Sequence, residues 1–314
     1  MEVKSYKKEY LTRIWSKYFG NIEQPEVITG INQTIPTDEN KCFTYICTFI
    51  WLQERAINFD SLSKEVSILL LENVFSNGPG TIFVKFNSGN IVIDKFCSFE
   101  SRIDSDGSFA YFYGSSFKNP NSIILRGSIS TGGFNSRSGM ICQQSGNSSL
   151  SNANISNCIA NYGVAFKYEY FKSPSKVSFC NFERLKANSG IITQFTSSGG
   201  RIENCNYINN SQRLNGIVEV SNKNLEILSC SFENNSGGAL FAATSAQIYI
   251  YHCSIDNYSE SIFSGVFDTY DMTTDPFQND LKFYELGQCE GYHKIFHYPP
   301  THPITPVVSS NRRR

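Results

Sequence analysis

The chain has little charge, and what it has cancels. Only 18% of its 314 residues are Asp, Glu, Lys or Arg, and the formal net charge is −1. A partner with a phosphate backbone needs a basic excess to release its counterions, so nucleic acid is not an expected partner. Long apolar runs are missing too. The longest stretches, Cys42 to Leu52 and Val66 to Leu71, fall short of the roughly 20 residues of a spanning helix. The first residues, MEVKSYKKEYLTRIWSKYFGN, contain no apolar h-region and no small-residue cleavage site, so no secretory signal is expected. Zinc-type C-x₂₋₄-C pairs are also absent: the nearest cysteines, Cys42 and Cys47, are five positions apart, and no metal or cofactor is expected.

What is abundant is Asn, Ser, Gly, Phe and Tyr. Aromatic and β-branched residues fill strands, whereas Asn and Gly accept the left-handed conformations that tight turns require. The chain is too aromatic for a disordered polymer.

The informative feature is a repeat. In SKVSFCNFERL (175–185), GRIENCNYINN (200–210), LEILSCSFENN (225–235) and AQIYIYHCSIDN (246–257), an aliphatic residue precedes a cysteine by three positions, and an aromatic or aliphatic residue follows it by two. The triplets are Val177/Cys180/Phe182, Ile202/Cys205/Tyr207, Ile227/Cys230/Phe232 and Ile250/Cys253/Ile255. The cysteines step by 25, 25 and 23 residues, and Cys158 lies 22 residues before Cys180. Less even steps carry the same place back through Gly127, Cys97 and Asn73 to Cys47. A second element, a Gly or Ser leading into an apolar strand, recurs at Gly80, Gly139, Gly163, Gly190, Gly216, Gly238 and Ser261.

Strands this short, joined by no consistent hairpin turn, cannot pair with their sequence neighbours. They can pair with their equivalents one period away, in parallel ladders about 4.8 Å apart. This predicts an all-β solenoid of stacked coils, each packing only on its neighbours. The aliphatic, cysteine and aromatic columns point inward as rows of like residues, and Asn209, Asn210, Asn234 and Asn235 mark turns. Side chains stacked in parallel register point the wrong way for a disulfide dihedral, so the cysteines are expected to be free thiols.

These residues resemble the right-handed β-helices of the pectate-lyase-like superfamily. More narrowly, Phe232-Glu-Asn-Asn235 followed by Gly237-Gly238-Ala239-Leu240 resembles the repeats of polymorphic outer-membrane-type surface proteins, and the Asn-rich, cysteine-laddered style is similar to β-helix surface proteins of parasitic protists. The resemblance implies a right-handed parallel β-helix, a structural or adhesin-like role, a glycan or cell-surface protein as partner, and a cell-surface or membrane-associated location. Tyr298-Pro-Pro-Thr-His-Pro-Ile-Thr-Pro (298–306) is similar to the start of a stalk, so the chain is also compatible with being part of a longer surface protein.

The same superfamily contains lyases and hydrolases, which makes an enzyme the rival reading. A lyase needs clustered acids for Ca²⁺ and a base, and a hydrolase needs paired carboxylates. Asp94, Asp104, Asp106, Glu203, Glu226 and Asp256 share no single column. Asp104-Ser-Asp106-Gly107 reads as a surface turn, and His252 as a surface histidine with no carboxylate in its motif. No catalytic residue is therefore named. One charged row does emerge: Lys176, Arg201 and Glu226 each stand four residues before their coil's cysteine. They form either a solvated face, with Arg201 and Glu226 paired, or part of a binding strip. Asn-x-Ser/Thr tripeptides at Asn32, Asn147, Asn154, Asn209, Asn234 and Asn257 are common by composition in such a chain and name no site.

Three segments are expected. Residues 1–41 form an N-terminal cap in which Tyr10, Leu11, Ile14, Trp15 and Tyr18 fall on one helical face. Residues 42–290 form the β-helix, with Leu281 to Leu286 as a last partial coil, and residues 291–314 form a Pro-rich extended tail.

Overall fold

In the computed structural model of the chain, the described residues are 2–281 and 283, apart from 37–39, 79–80, 103–105, 115–119, 134–136, 138, 172–173, 214–215, 257–262 and 276. Their strands pair in parallel, each with its equivalent one coil away, and one helix, α1 (Glu2–Phe19), precedes them. Gly80, Asp104, Asn257, Ser261 and the expected tail lie outside the described residues.

A well-described coil has four short faces in chain order. Face A carries strands such as Thr193–Thr196, face B Gly200–Glu203, face C Asn206–Ile208 and face D Ser211–Gln212. Faces A, B and C belong to one continuous sheet, whereas face D is a separate three-stranded sheet made of Ile159–Ala160, Lys186–Ala187 and Ser211–Gln212. A single residue with positive φ makes each corner: Ser197 between A and B, Asn204 between B and C, and Asn209 between C and D.

The corners explain why cysteine and asparagine recur. The N–H that follows a left-handed residue points into the coil, away from the ladder, and an unpaired buried donor costs roughly 1–3 kcal/mol. The next coil supplies its acceptor. Cys180 N–H donates to Cys205 Sγ at 3.4 Å, Cys205 N–H to Cys230 Sγ at 3.4 Å and Cys230 N–H to Cys253 Sγ at 3.3 Å. Each of these thiols donates in turn to the carbonyl two residues before it, as Cys205 does to Glu203 at 3.3 Å. At the C–D corner, Leu185 N–H donates to Asn210 Oδ1 at 2.9 Å, and Asn210 N–H to Asn235 Oδ1 at 3.0 Å. Asn73 does the same at the B–C corner, accepting from Cys47 N–H at 2.9 Å. Cysteine thus serves as a small, buried side chain that can both accept and donate.

The register corrects two members of the expected cysteine row. Reading by coil, the row runs Cys47, Asn73, Phe96, Gly127, Ala153, Cys180, Cys205, Cys230, Cys253. Cys158 is not in it. It follows Asn157 at the C–D corner, level with Leu185, because Ile159 pairs with Lys186 and Ala153 takes the small inward place at the B–C corner. Cys97 lies one position beyond the row, level with Val74 and Ser128, and Phe96 occupies the place. Gly127 is then required, since a Cβ there would stand 2.4 Å from the Phe96 ring. Cys158, Cys180, Cys205, Cys230 and Cys253 are free and buried, whereas Cys97 is disulfide-bonded. Burial pushes the Cys158 thiol up to about 12 and the Cys205 thiol well up, so neither is a ready nucleophile.

Inside, Val177, Ile202, Ile227 and Ile250 stack in one row, and Phe182, Tyr207, Phe232 and Ile255 in another, with ring centroids 4.7 and 4.8 Å apart along the aromatic part. All are buried.

Both ends differ from the expected caps. Strand pairing already begins at Val27–Thr29, and α1 does not sit over an open end. Leu11, Trp15 and Phe19 instead pack on the outer side of face B, against Phe43, Leu69, Leu71, Val92 and Ile123, because those outward positions are apolar. Ile14 and Tyr18 join this contact, while Tyr10 is exposed. At the other end, Thr273 bridges to Ser254, and the chain then doubles back across face C rather than winding on. Gln278 Nε2 donates to Glu233, and Asn279 exchanges hydrogen bonds with Asn206 at 3.0 and 3.1 Å. Leu281 and Phe283 are in no strand, and the rest of the expected last partial coil, residues 282 and 284–286, lies outside the described residues.

Candidate functional site

Face B presents two outward rows. The first reads Val27, Phe43, Leu69, Val92, Ile123, Ser149, Lys176, Arg201, Glu226, Tyr249, Asp268. The second reads Tyr45, Leu71, Asp94, Leu125, Ser151, Ser178, Glu203, Leu228, Tyr251, Tyr270. Helix α1 covers the early members; the later ones face outward with no described element on them. In the first row the character changes at that border, from aliphatic and aromatic side chains to Ser149, then the charges Lys176, Arg201 and Glu226, then Tyr249; the second row is mixed, with Asp94 already beneath α1.

The register sets Lys176, Arg201 and Glu226 one above another. Their partner is a residue of the second row that the spacing argument passed over. Lys176 Nζ lies 2.5 Å from Glu203 Oε1 and Arg201 Nε 2.9 Å from Glu203 Oε2, whereas Arg201 reaches Glu226 only at 3.9 Å. Glu203, with its side chain 13% exposed, is therefore the hub, and Glu226, 55% exposed, is a loose rim. Tyr249, Tyr251, Tyr270 and Leu228 extend the strip. Tyr249 also stands four residues before its cysteine, so the same rule would have found it.

The acids that would serve an enzyme are dispersed and held by partners. Asp94 lies under α1 with Arg126 and Tyr18, Glu72 pairs with Lys95 at 2.8 Å, and Asp256 accepts from Asn234 N–H. On face A, Glu169 is held by Lys167 Nζ at 2.9 Å and Gln144 Nε2 at 2.7 Å. Asp106 and Glu169 share the neighbours Tyr111 and Cys142, both pushed up by burial and then by nearby acids. His252 is a surface histidine, and its carboxylate partner comes from outside its motif: Asp271, its equivalent in the next coil, approaches Nδ1 to 2.8 Å. The pair is exposed at 51% and 70%, which keeps its contribution small. Among the described residues, no group of three His, Cys, Asp or Glu could hold a metal, and no helix is long and apolar enough to cross a membrane.

Parallel stacking, the corner residues and the inward ladders define a class, and the chain is a right-handed parallel β-helix. The family model described as "Right handed beta helix region" matches residues 100–255, which include the regular coils and Lys176, Arg201, Glu203 and Glu226 of the strip. No curated protein and no solved structure matches the chain.

Proposed function

We propose that this β-helix has a non-enzymatic structural or surface-interaction role, adhesin-like in character, and that the uncovered part of face B meets an extended glycan or a cell-surface protein. The observation that carries this reading is the change along the first row, from apolar beneath α1 to hydroxyl, charge and tyrosine where nothing described covers it, with Glu203, Tyr251 and Tyr270 of the second row beside it. Such a strip offers hydrogen-bonding groups at a fixed rung spacing and aromatic faces at one end, with backbone groups already used in the ladder. Binding there must run through side chains, which suits a polymer lying along the coil axis. Fold alone does not set function, and the divergent lyase or hydrolase keeps one supporting observation, the shared surroundings of Asp106 and Glu169.

The test is a glycan array and a turnover assay on the same purified full chain. Binding that falls in a Tyr251→Ala/Tyr270→Ala variant, with no turnover on any bound glycan, is the expected result. Turnover abolished by Asp106→Asn or Glu169→Gln alone would overturn the reading in favour of the enzyme.

A further inference from the structure

Away from face B, the short sheet of face D borders a groove of about 480 Å³ lined by Lys186, Ala187, Asn188, Ser211, Gln212 and Arg213. Lys186 and Ser211 are register partners on adjacent rungs, and Asn188 and Arg213 follow just beyond the ends of the same two short strands, which stop at Ala187 and Gln212. Ala187 and Gln212, between them, are buried at 3% and 6%. Lys186, Asn188 and Arg213 are exposed and Ser211 is half-buried, so the groove is lined by a quartet of two cations, an amide and a hydroxyl.

All four can donate hydrogen bonds, and no carboxylate lines the groove. Neither Lys186 nor Arg213 is in an ion pair among the described residues, and the two line one groove. Two cations without an acidic partner in one groove, with neutral donors beside them, match the demands of a tetrahedral oxyanion better than those of a cation or a neutral sugar. We infer that the Lys186–Asn188–Ser211–Arg213 quartet is an oxyanion-binding site, taking a sulfate or phosphate group that is either free or carried on a larger ligand. The site is separate from face B, so its fate and that of the function proposed above are independent.

The experiment is calorimetric titration of inorganic sulfate and of inorganic phosphate into the full chain in a chloride buffer. A sulfated oligosaccharide and its desulfated counterpart form the second arm. One saturable site is expected, weakened about tenfold or more by Lys186→Gln with Arg213→Gln and by no more than about threefold in Lys186→Arg. Tighter binding of the sulfated oligosaccharide than of free sulfate would place the oxyanion on a polymer, and equal binding would make the ligand a free anion; each supports the site. A Lys85→Gln variant, which removes a cation from neither the groove nor face B, should leave this binding unchanged. No saturable binding up to roughly 50 mM anion, or equal affinity in the Lys186/Arg213 double variant, overturns the inference. All four residues sit on the surface, and circular dichroism checks that the variants remain folded.

Discussion

The outward rows of face B pass through two environments on one scaffold. From Phe43 to Ile123 they lie under α1, and from Ser149 onward they are open. The backbone ladder is the same in both, so parallel pairing places no demand on outward polarity. What differs is the neighbour. Where Leu11, Trp15 and Phe19 press on the rows, every position of the first row is apolar; where no described element does, the same row carries Ser149, Lys176, Arg201 and Glu226. Outward composition on a solenoid thus records what covers it, which is why the open half is the part available for binding.

The largest effect that would break this comparison comes from removing the anchor of the cover. Trp15 is 1% exposed, lies 5.7 Å from the Phe43 ring and donates from Nε1 to the Ile22 carbonyl at 2.8 Å. Trp15→Ala should cost about 3–5 kcal/mol. Hydrogen exchange should speed up in the covered rungs, 41–45, 67–71 and 89–94, while 200–203 and 225–228 keep their protection. Uniform acceleration along the chain would mean that α1 supports the whole solenoid and the two halves are not separable.

Alkaline pH acts next, and it acts on both regions. Burial first, then Asp94, pushes Tyr18 up to about 12 from 10.0, and burial pushes Cys158 up to about 12 from 9.0. Between these values the unfolded chain releases protons that the folded chain retains, so stability falls as pH rises. The contribution is complete below pH 9 and is lost on approach to about 12. Urea midpoints measured from pH 8 upward should decline from pH 9, and Tyr18→Phe should flatten only the part above 10. A midpoint constant to pH 11 would contradict the burial of both groups.

How much of this was legible depended on insertions. Between Cys180 and Cys253 the coils are nearly equal in length, so spacing alone located the rows. At Cys158 it failed, because two corners of one coil lie five residues apart and a small residue suits either; Ala153 gives no signal that it holds the inward place. Lys176, Arg201 and Glu226 could be aligned because they keep a fixed distance from a cysteine. Glu203 was missed as the hub because its role depends on side chains reaching across rows. The cover was not legible at all. The apolar face of α1 was visible, but nothing in Leu11 or Trp15 says whether it closes an end or lies on a flank. The groove at Lys186 and Arg213 was equally hidden, since it rests on which surface cations find no acid nearby.

The finest comparison lies within a single row. Asp94 and Glu203 occupy equivalent positions four coils apart, one beneath α1 and one in the open. Asp94 is 2% exposed and accepts from Arg126 Nε at 2.8 Å and Tyr18 Oη at 3.2 Å. Arg126 is 44% exposed, much like Arg201, so the contrast rests on the carboxylates and on Tyr18. Asp94→Asn removes a charge that is itself 2% exposed and should cost about 1.5–3 kcal/mol. Glu203→Gln should cost less than about 1 kcal/mol, because Glu203 is 13% exposed and meets only half-exposed Lys176 and Arg201. Its cost should shrink further as ionic strength rises. Equal costs for the two, measured by urea denaturation at low and high salt, would mean that the open strip is as desolvated as the covered one. Glu203 would then belong to the packing of the solenoid rather than to a surface able to receive a ligand.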